Sequence, residues 1–198
     1  SGTVEGIAVE ASLDSSLPLT CPDGSANVDG SCDIRIFKVQ HSITGGGNLL
    51  LSESAGEYPA LDGSKKNFGF NADSGKNGNR LKGDINIVFE YMPSVDYQLK
   101  AQSIDAVGVR YEDFYGEIVA AQATLTDLST GALVTPDPII LQVKLFDYND
   151  DTNPATEDLV SYTAWDPLDG HLVFTTNWNH TYNVPAEQGL DGGTIDIK

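Results

Sequence analysis

Apolar and polar residues alternate with a period of two along most of this chain, and that alternation constrains its fold more than any other feature. In DINIVFEYM (84–92), Ile85, Ile87, Phe89 and Tyr91 fall on one face and Asp84, Asn86 and Glu90 on the other. In PIILQVKLFD (138–147), Ile139, Leu141, Val143 and Leu145 line one face, with Gln142 and Lys144 opposite. Successive side chains of a strand point to opposite faces, so both runs read as half-buried strands. Similar runs occur at 3–11, 34–39, 49–51, 68–70, 97–101, 104–109, 117–125, 159–165, 172–175 and 194–197. Twenty glycines and nine prolines punctuate the chain, and no long window keeps a helical stripe. About ten to twelve short strands divided by turn-formers predict an all-β chain, an antiparallel β-sandwich or jelly roll.

A chain of 198 residues, 40% of them hydrophobic, has enough apolar side chain for one sizeable core. The expectation is a single β-sandwich domain over 1–198, with residues 1–65 as a separate N-terminal lobe in the alternative division. The least strand-like stretch is 56–79, where LDGSKKN and DSGKNGN flank FGFNA; it is expected to hold either a long loop or the seam between two parts.

Eleven Lys and Arg against 29 Asp and Glu leave a formal charge of -18. Such a surface repels phosphate backbones and anionic lipids, so nucleic acid and membrane surfaces are excluded as expected partners. Cations are favoured instead, because hard ions such as calcium need clustered oxygen ligands. No apolar run has the length of a membrane span. The opening SGTVEGIAVEA lacks a charged n-region and apolar h-segment, so any export signal is expected to have been removed.

The two cysteines, Cys21 and Cys32, enclose a polar stretch of turn-formers and acids in TCPDGSANVDGSCDI. A disulfide clipping that loop shut would stabilise the fold by about 2–3 kcal/mol through loop-closure entropy, and it points to an oxidising, secreted or cell-surface location. Half of a zinc site is the competing reading, but no second Cys or His pair completes it.

The most acidic segment is LFDYNDDTNPATEDLVSYTAW (145–165). Asp147, Asn149, Asp151, Asn153 and Asp158 occupy positions 1, 3, 5, 7 and 12 of a twelve-residue window, the ligand spacing of a calcium loop. Thr152 stands where an EF-hand needs Gly, Asp158 where it usually has Glu, and strands rather than helices flank the loop. The expected site is therefore a β-hairpin calcium loop, with Asp150 or Glu157 replacing a missing ligand. Turn-formers gathered for solubility are the alternative, although four Asp and one Glu without a Lys or Arg would repel one another. The other acidic turn, WDPLDGH (165–171), offers two carboxylates, short of a calcium shell, and reads as an Asp-Gly turn.

Aromatic side chains offer a second kind of handle. Tyr111, Phe114 and Tyr115 in RYEDFYGE, with Trp178 in TNWNHT, are candidates for a platform on which sugar rings stack. Burial in the core competes with that role, since large aromatics more often fill a sandwich. Asn179-His180-Thr181 matches the N-glycosylation sequon.

Catalytic signals are absent from the sequence. There is no G-x-S-x-G elbow, no phosphate-cradling glycine loop and no H-E-x-x-H, and His41, His171 and His180 lie far apart with no nucleophile motif beside them. A glycosidase-type carboxylate pair is a matter of spatial separation and stays open. The expectation is a non-enzyme.

The series FGFNA (68–72), KGDINIVFEY (82–91), YGEIVAAQATL (115–125), VKLFDYND (143–150), EDLVSYTAWDPLDG (157–170) and GLDGGTIDIK (189–198) resembles β-rich modules of secreted bacterial surface proteins, of the post-choice-of-anchor type found beside adhesin and cell-wall-associated domains. The resemblance runs from near Phe68 to the end. It implies an extracellular β-sandwich that presents or spaces other elements, with no catalytic residues to carry over. The first 65 residues fall outside it, and the acidic turn is longer here than the family's usual Asp-Gly-rich connection.

Three functional expectations follow. The leading one is a calcium-stabilised extracellular module for cell-surface adhesion or surface architecture. A carbohydrate-binding module is the second. The third is a self-associating, pilus-like subunit in which residues 3–11 are donated as a strand to a neighbour's open sheet edge.

Overall fold

The computed structural model describes residues 42–74, 81–110, 114–148 and 157–198. The chain divides into two compact units, Ser1–Ile36 and Phe37–Lys198. The first unit lies outside the described residues, and with it Cys21, Cys32 and the expected donor strand at 3–11; the expected strand at 34–39 lies outside them too.

The second unit is all-β, as the alternation predicts, and forms an antiparallel sandwich. In chain order its strands are β1 (Ser42–Leu51), β2 (Ser64–Asp73), β3 (Lys82–Met92), β4 (Val95–Ala101), β5 (Ala106–Arg110), β6 (Tyr115–Asp127), β7 (Ile139–Phe146), β8 (Leu159–Trp165), β9 (Leu172–Thr175), β10 (Trp178–Asn179), β11 (Val184–Pro185), β12 (Gln188–Gly189) and β13 (Gly192–Ile197). Pairing follows the path β12-β8-β7-β6-β4-β3-β2-β1-β13, with β5 added to β6 and β9 to β8, while β10 and β11 form a separate hairpin.

One long strand joins the two layers. The first half of β6 pairs with β5 and β7, its register slips between Ala120 and Ala123, and its second half pairs with β4. A bulge of this kind bends the strand and increases its twist. The β1–β4 layer then faces the β6–β9 layer across the core. Phe68 and Phe70 of β2 meet Tyr162 of β8, and Phe89 of β3 stacks on Phe174 of β9 with ring centroids 4.2 Å apart.

The buried faces are those that the period-two pattern selects. Ile85, Ile87 and Phe89 in β3, and Ile139, Leu141, Val143 and Leu145 in β7, are essentially inaccessible to solvent. Each such side chain contributes on the order of 1.5–3 kcal/mol by leaving water. β8 departs from simple alternation: Ser161 and Thr163 are buried along with Val160, Tyr162 and Ala164, so both of its faces are covered.

The stretch expected to be least strand-like instead carries β2, ten residues paired with β1 on one side and β3 on the other. Its Lys, Asn and Gly residues mask an apolar face made by Phe68, Phe70 and Ala72. The middle of β1 also lacks a hydrophobic signature, because Gly45, Gly46 and Gly47 occupy it. A Cβ at Gly45 would strike the Phe70 ring, and at Gly47 the obstacle is backbone. A Cβ at Gly47 would run into the Gly192 carbonyl, and one at Gly193, where φ is 117°, into the Gly46 carbonyl. Only glycine lets β1 and β13 approach this closely.

Candidate functional site

β13 ends the strand path, and an end strand presents a row of unpaired backbone groups. Ser42 and Lys198 exchange both backbone hydrogen bonds, at 3.1 and 2.9 Å, so in an antiparallel ladder the amides of Ile197 and Ile195 point away from β1. Two carboxylates take them. The Ile197 amide donates to Asp147 Oδ2 at 3.0 Å and the Ile195 amide to Asp158 Oδ2 at 2.9 Å. Asp158 Oδ1 accepts the Tyr148 amide at 3.1 Å, and the Asp158 carbonyl accepts the Leu190 amide at 3.2 Å.

These two acids are the first and last residues of the acidic window. Asp147 directly follows β7 and Asp158 directly precedes β8, so the mouth of the loop is fastened to the edge of the opposite layer. Asp158 is only 3% exposed, and charge-assisted bonds to backbone amides are what make a buried carboxylate tolerable. Among the expected calcium ligands, Asp147 and Asp158 are thus brought to one seam with structural partners of their own. Asn149, Asp151 and Asn153 lie outside the described residues.

Of the expected aromatic platform, Phe114, Tyr115 and Trp178 are described. Tyr111 lies outside the described residues. Phe114 is 43% exposed, has a positive φ of 55°, and its carbonyl accepts the Asp147 amide; Trp178 sits in the short β10–β11 hairpin opposite Pro185. Neither stacks with Tyr115. Tyr115 instead opens a row with Phe146, at 5.1 Å, and Phe146 stacks on Tyr148 at 5.3 Å, while the Arg110 guanidinium lies 5.2 Å from the Tyr115 ring. The Tyr115 hydroxyl donates to Glu117 Oε2 at 3.0 Å, and Gln142 Nε2 donates to Glu117 Oε1. Burial, and then the Glu117 carboxylate, push that phenol above its ordinary range. Phe146 and Tyr148 lie in the acidic segment, where no aromatic pattern marks them; the Tyr115–Phe146 register across β6 and β7 is what brings them beside Tyr115.

In the sequon, Asn179 Oδ1 accepts the amides of Thr181 and Tyr182 at 3.0 and 3.1 Å and caps the exposed tip of its hairpin. At the β8–β9 turn, Asp166, Asp169 and His171 each bring one potential ligand atom within 4.8 Å of the others. The turn satisfies its own acids: Asp166 Oδ1 accepts the Leu168 amide, and Asp169 Oδ1 accepts the His171 amide and lies 2.7 Å from His171 Nδ1. These contacts hold Asp169 below the ordinary carboxylate range, the backbone bond from His171 first.

A surface hollow of about 450 Å³ lies beside the β6 bulge, lined by Lys100, Gln102, Ser103, Gln122 and Thr124. Among the described residues its lining is lysine, amide and hydroxyl side chains. No family model, curated protein or solved structure matches the chain.

Proposed function

We propose that the chain is a non-catalytic, extracellular β-sandwich module for cell-surface adhesion or surface architecture, stabilised by calcium at the acidic loop between β7 and β8. The observation that carries this reading is the fastening of β13 by Asp147 and Asp158. An ion held by Asp147, Asn149, Asp151, Asn153 and Asp158 would draw together the acids that hold the seam, so binding energy at the loop would become stability of the sandwich. The net charge of -18 supports a cationic partner, and the resemblance to secreted surface modules supports the setting. The cysteine pair Cys21 and Cys32 agrees with an oxidising compartment.

Calorimetric titration of EDTA-stripped protein with calcium, and separately with magnesium, tests the site. Calcium-selective binding that disappears in Asp151→Ala is the expected result. Asp151 is the residue to change, since the β13 contacts described belong to Asp147 and Asp158. Absence of calcium binding would remove the ion from the reading.

A second reading is favoured by the Tyr115, Phe146 and Tyr148 row, which places three rings beside a guanidinium, a carboxylate and an amide on one sheet surface. That combination suits contact with a glycan. Quenching of intrinsic fluorescence by soluble oligosaccharides, lost in Tyr148→Ala, is its test.

A further inference from the structure

We infer that residues 53–58 form a strap over the open edge of β9, held near its ends by glutamate–histidine contacts, and that the contact at His171 loosens once its ring loses a proton. One edge of β9 pairs with β8. Along the other, the Glu57 amide donates to the Leu172 carbonyl at 3.0 Å, the Tyr58 amide to the Val173 carbonyl at 2.9 Å, and Ala55 and Thr175 exchange bonds at 3.3 and 2.8 Å. Gly56, with φ 114°, lies so close to the Val173 carbonyl that a Cβ would collide with it. The strap thus covers polar backbone that would otherwise form an exposed edge.

Each end of the strap carries a glutamate that meets a histidine. Glu57 Oε2 lies 2.8 Å from His171 Nε2, and Glu53 Oε2 lies 3.2 Å from His180 Nε2. Two of the chain's three histidines therefore converge on one short connection. The His171 ring decides the chemistry. Carboxylate oxygens flank both nitrogens, Asp169 Oδ1 at 2.7 Å from Nδ1 and Glu57 Oε2 at 2.8 Å from Nε2. A neutral imidazole has one N–H and can donate to only one of them, whereas the imidazolium donates to both.

The groups facing His171 are Asp169 and Asp166 in its own turn and Glu57 from the strap, where the Tyr58 hydroxyl also bonds Glu57; His180 faces Glu53. Hydrogen bonding to Asp169, then to Glu57, raises the His171 pKa above its ordinary value. Because the folded value exceeds the unfolded one of about 6.5, the stabilisation is complete below that pH. It is lost as pH rises through the folded value. Both histidines are well exposed, at 40% and 73%, so the effect is local to the strap.

Amide hydrogen exchange on the full chain tests this, read by NMR at pH 6 and 8.5 and corrected for intrinsic rates. Protection at Ala55, Glu57 and Tyr58 should fall by roughly threefold or more between the two values, while Lys198 and Asp191, bonded elsewhere, keep theirs. His171→Gln should lose that difference. An equal fall in that variant, or no fall in the parent, would overturn the proposal. Nitrogen NMR of the His171 ring gives a second reading on unaltered protein: both ring nitrogens protonated at pH 6.5 is the expected signature, and a single neutral tautomer there contradicts it.

Discussion

Two edges of the sandwich meet the same difficulty in different ways. At β13, the outward amides are held by carboxylates from the mouth of the acidic loop, one of them almost fully buried. At β9, backbone pairs with the 53–58 strap do the covering, and exposed Glu–His contacts fasten its ends. Burial sets the difference. A desolvated carboxylate with two amide donors becomes costly when either partner goes, because the groups left behind cannot turn to water. An exposed ion pair has solvent on both sides of the exchange and chiefly adjusts local opening.

The largest effect is therefore expected at Asp158. Asp158→Ala leaves the Tyr148 and Ile195 amides without their acceptor and should cost about 3 kcal/mol in urea unfolding, the range for losing charge-assisted bonds at a buried site. A loss below about 0.5 kcal/mol, typical of a plain surface change, would mean that the clip is not what holds β13. Asp147→Ala removes the acceptor of one amide at a half-buried position and should cost about 1 kcal/mol by the same measurement.

Tyr162 sharpens the contrast from the opposite side. Its ring is fully buried, yet its hydroxyl has no hydrogen-bond partner among the described residues, and burial pushes its pKa well up. Tyr162→Phe keeps the ring and removes an unpaired polar atom, so stability should be unchanged or rise by up to about 1 kcal/mol. A clear loss would reveal a partner for that hydroxyl. The smallest global effect belongs to His171→Gln, which should leave the unfolding midpoint nearly unchanged at pH 8.5 and lower it slightly at pH 6, following the raised pKa.

Much of the fold was legible because one period runs through it. The stretches at 84–92, 138–147 and 159–165 fall within or on β3, β7 and β8, since half-buried strands must alternate and their apolar residues show which face turns inward. The middle of β1 was not legible: a Cβ at Gly45 would strike the Phe70 ring and one at Gly47 the Gly192 carbonyl of β13, close approaches that leave no hydrophobic trace. β10, β11 and β12 were missed because two-residue strands are too short to show a period.

The site was legible only in part. Ligand spacing singled out Asp147 and Asp158, but nothing local announces that their oxygens meet Ile195 and Ile197, some 37 and 50 residues further on. The aromatic expectation grouped neighbours in sequence, whereas the register of β6 against β7 set Tyr115 beside Phe146. Glu53 and Glu57 carry no motif; only the return of the chain along β9 gives them histidine partners.

The most direct measurement is the thermal unfolding midpoint of the EDTA-stripped chain, repeated in millimolar calcium and in magnesium, for the parent and for Asp151→Ala. A ligand present at about 100 times its Kd and bound only by the native state adds roughly 2.7 kcal/mol, enough to raise the midpoint by several degrees. That rise is expected for the parent with calcium, little with magnesium, and none for Asp151→Ala. Equal midpoints in EDTA and calcium would contradict that expectation and leave the acidic loop a solvated hairpin whose two end residues hold β13 unaided.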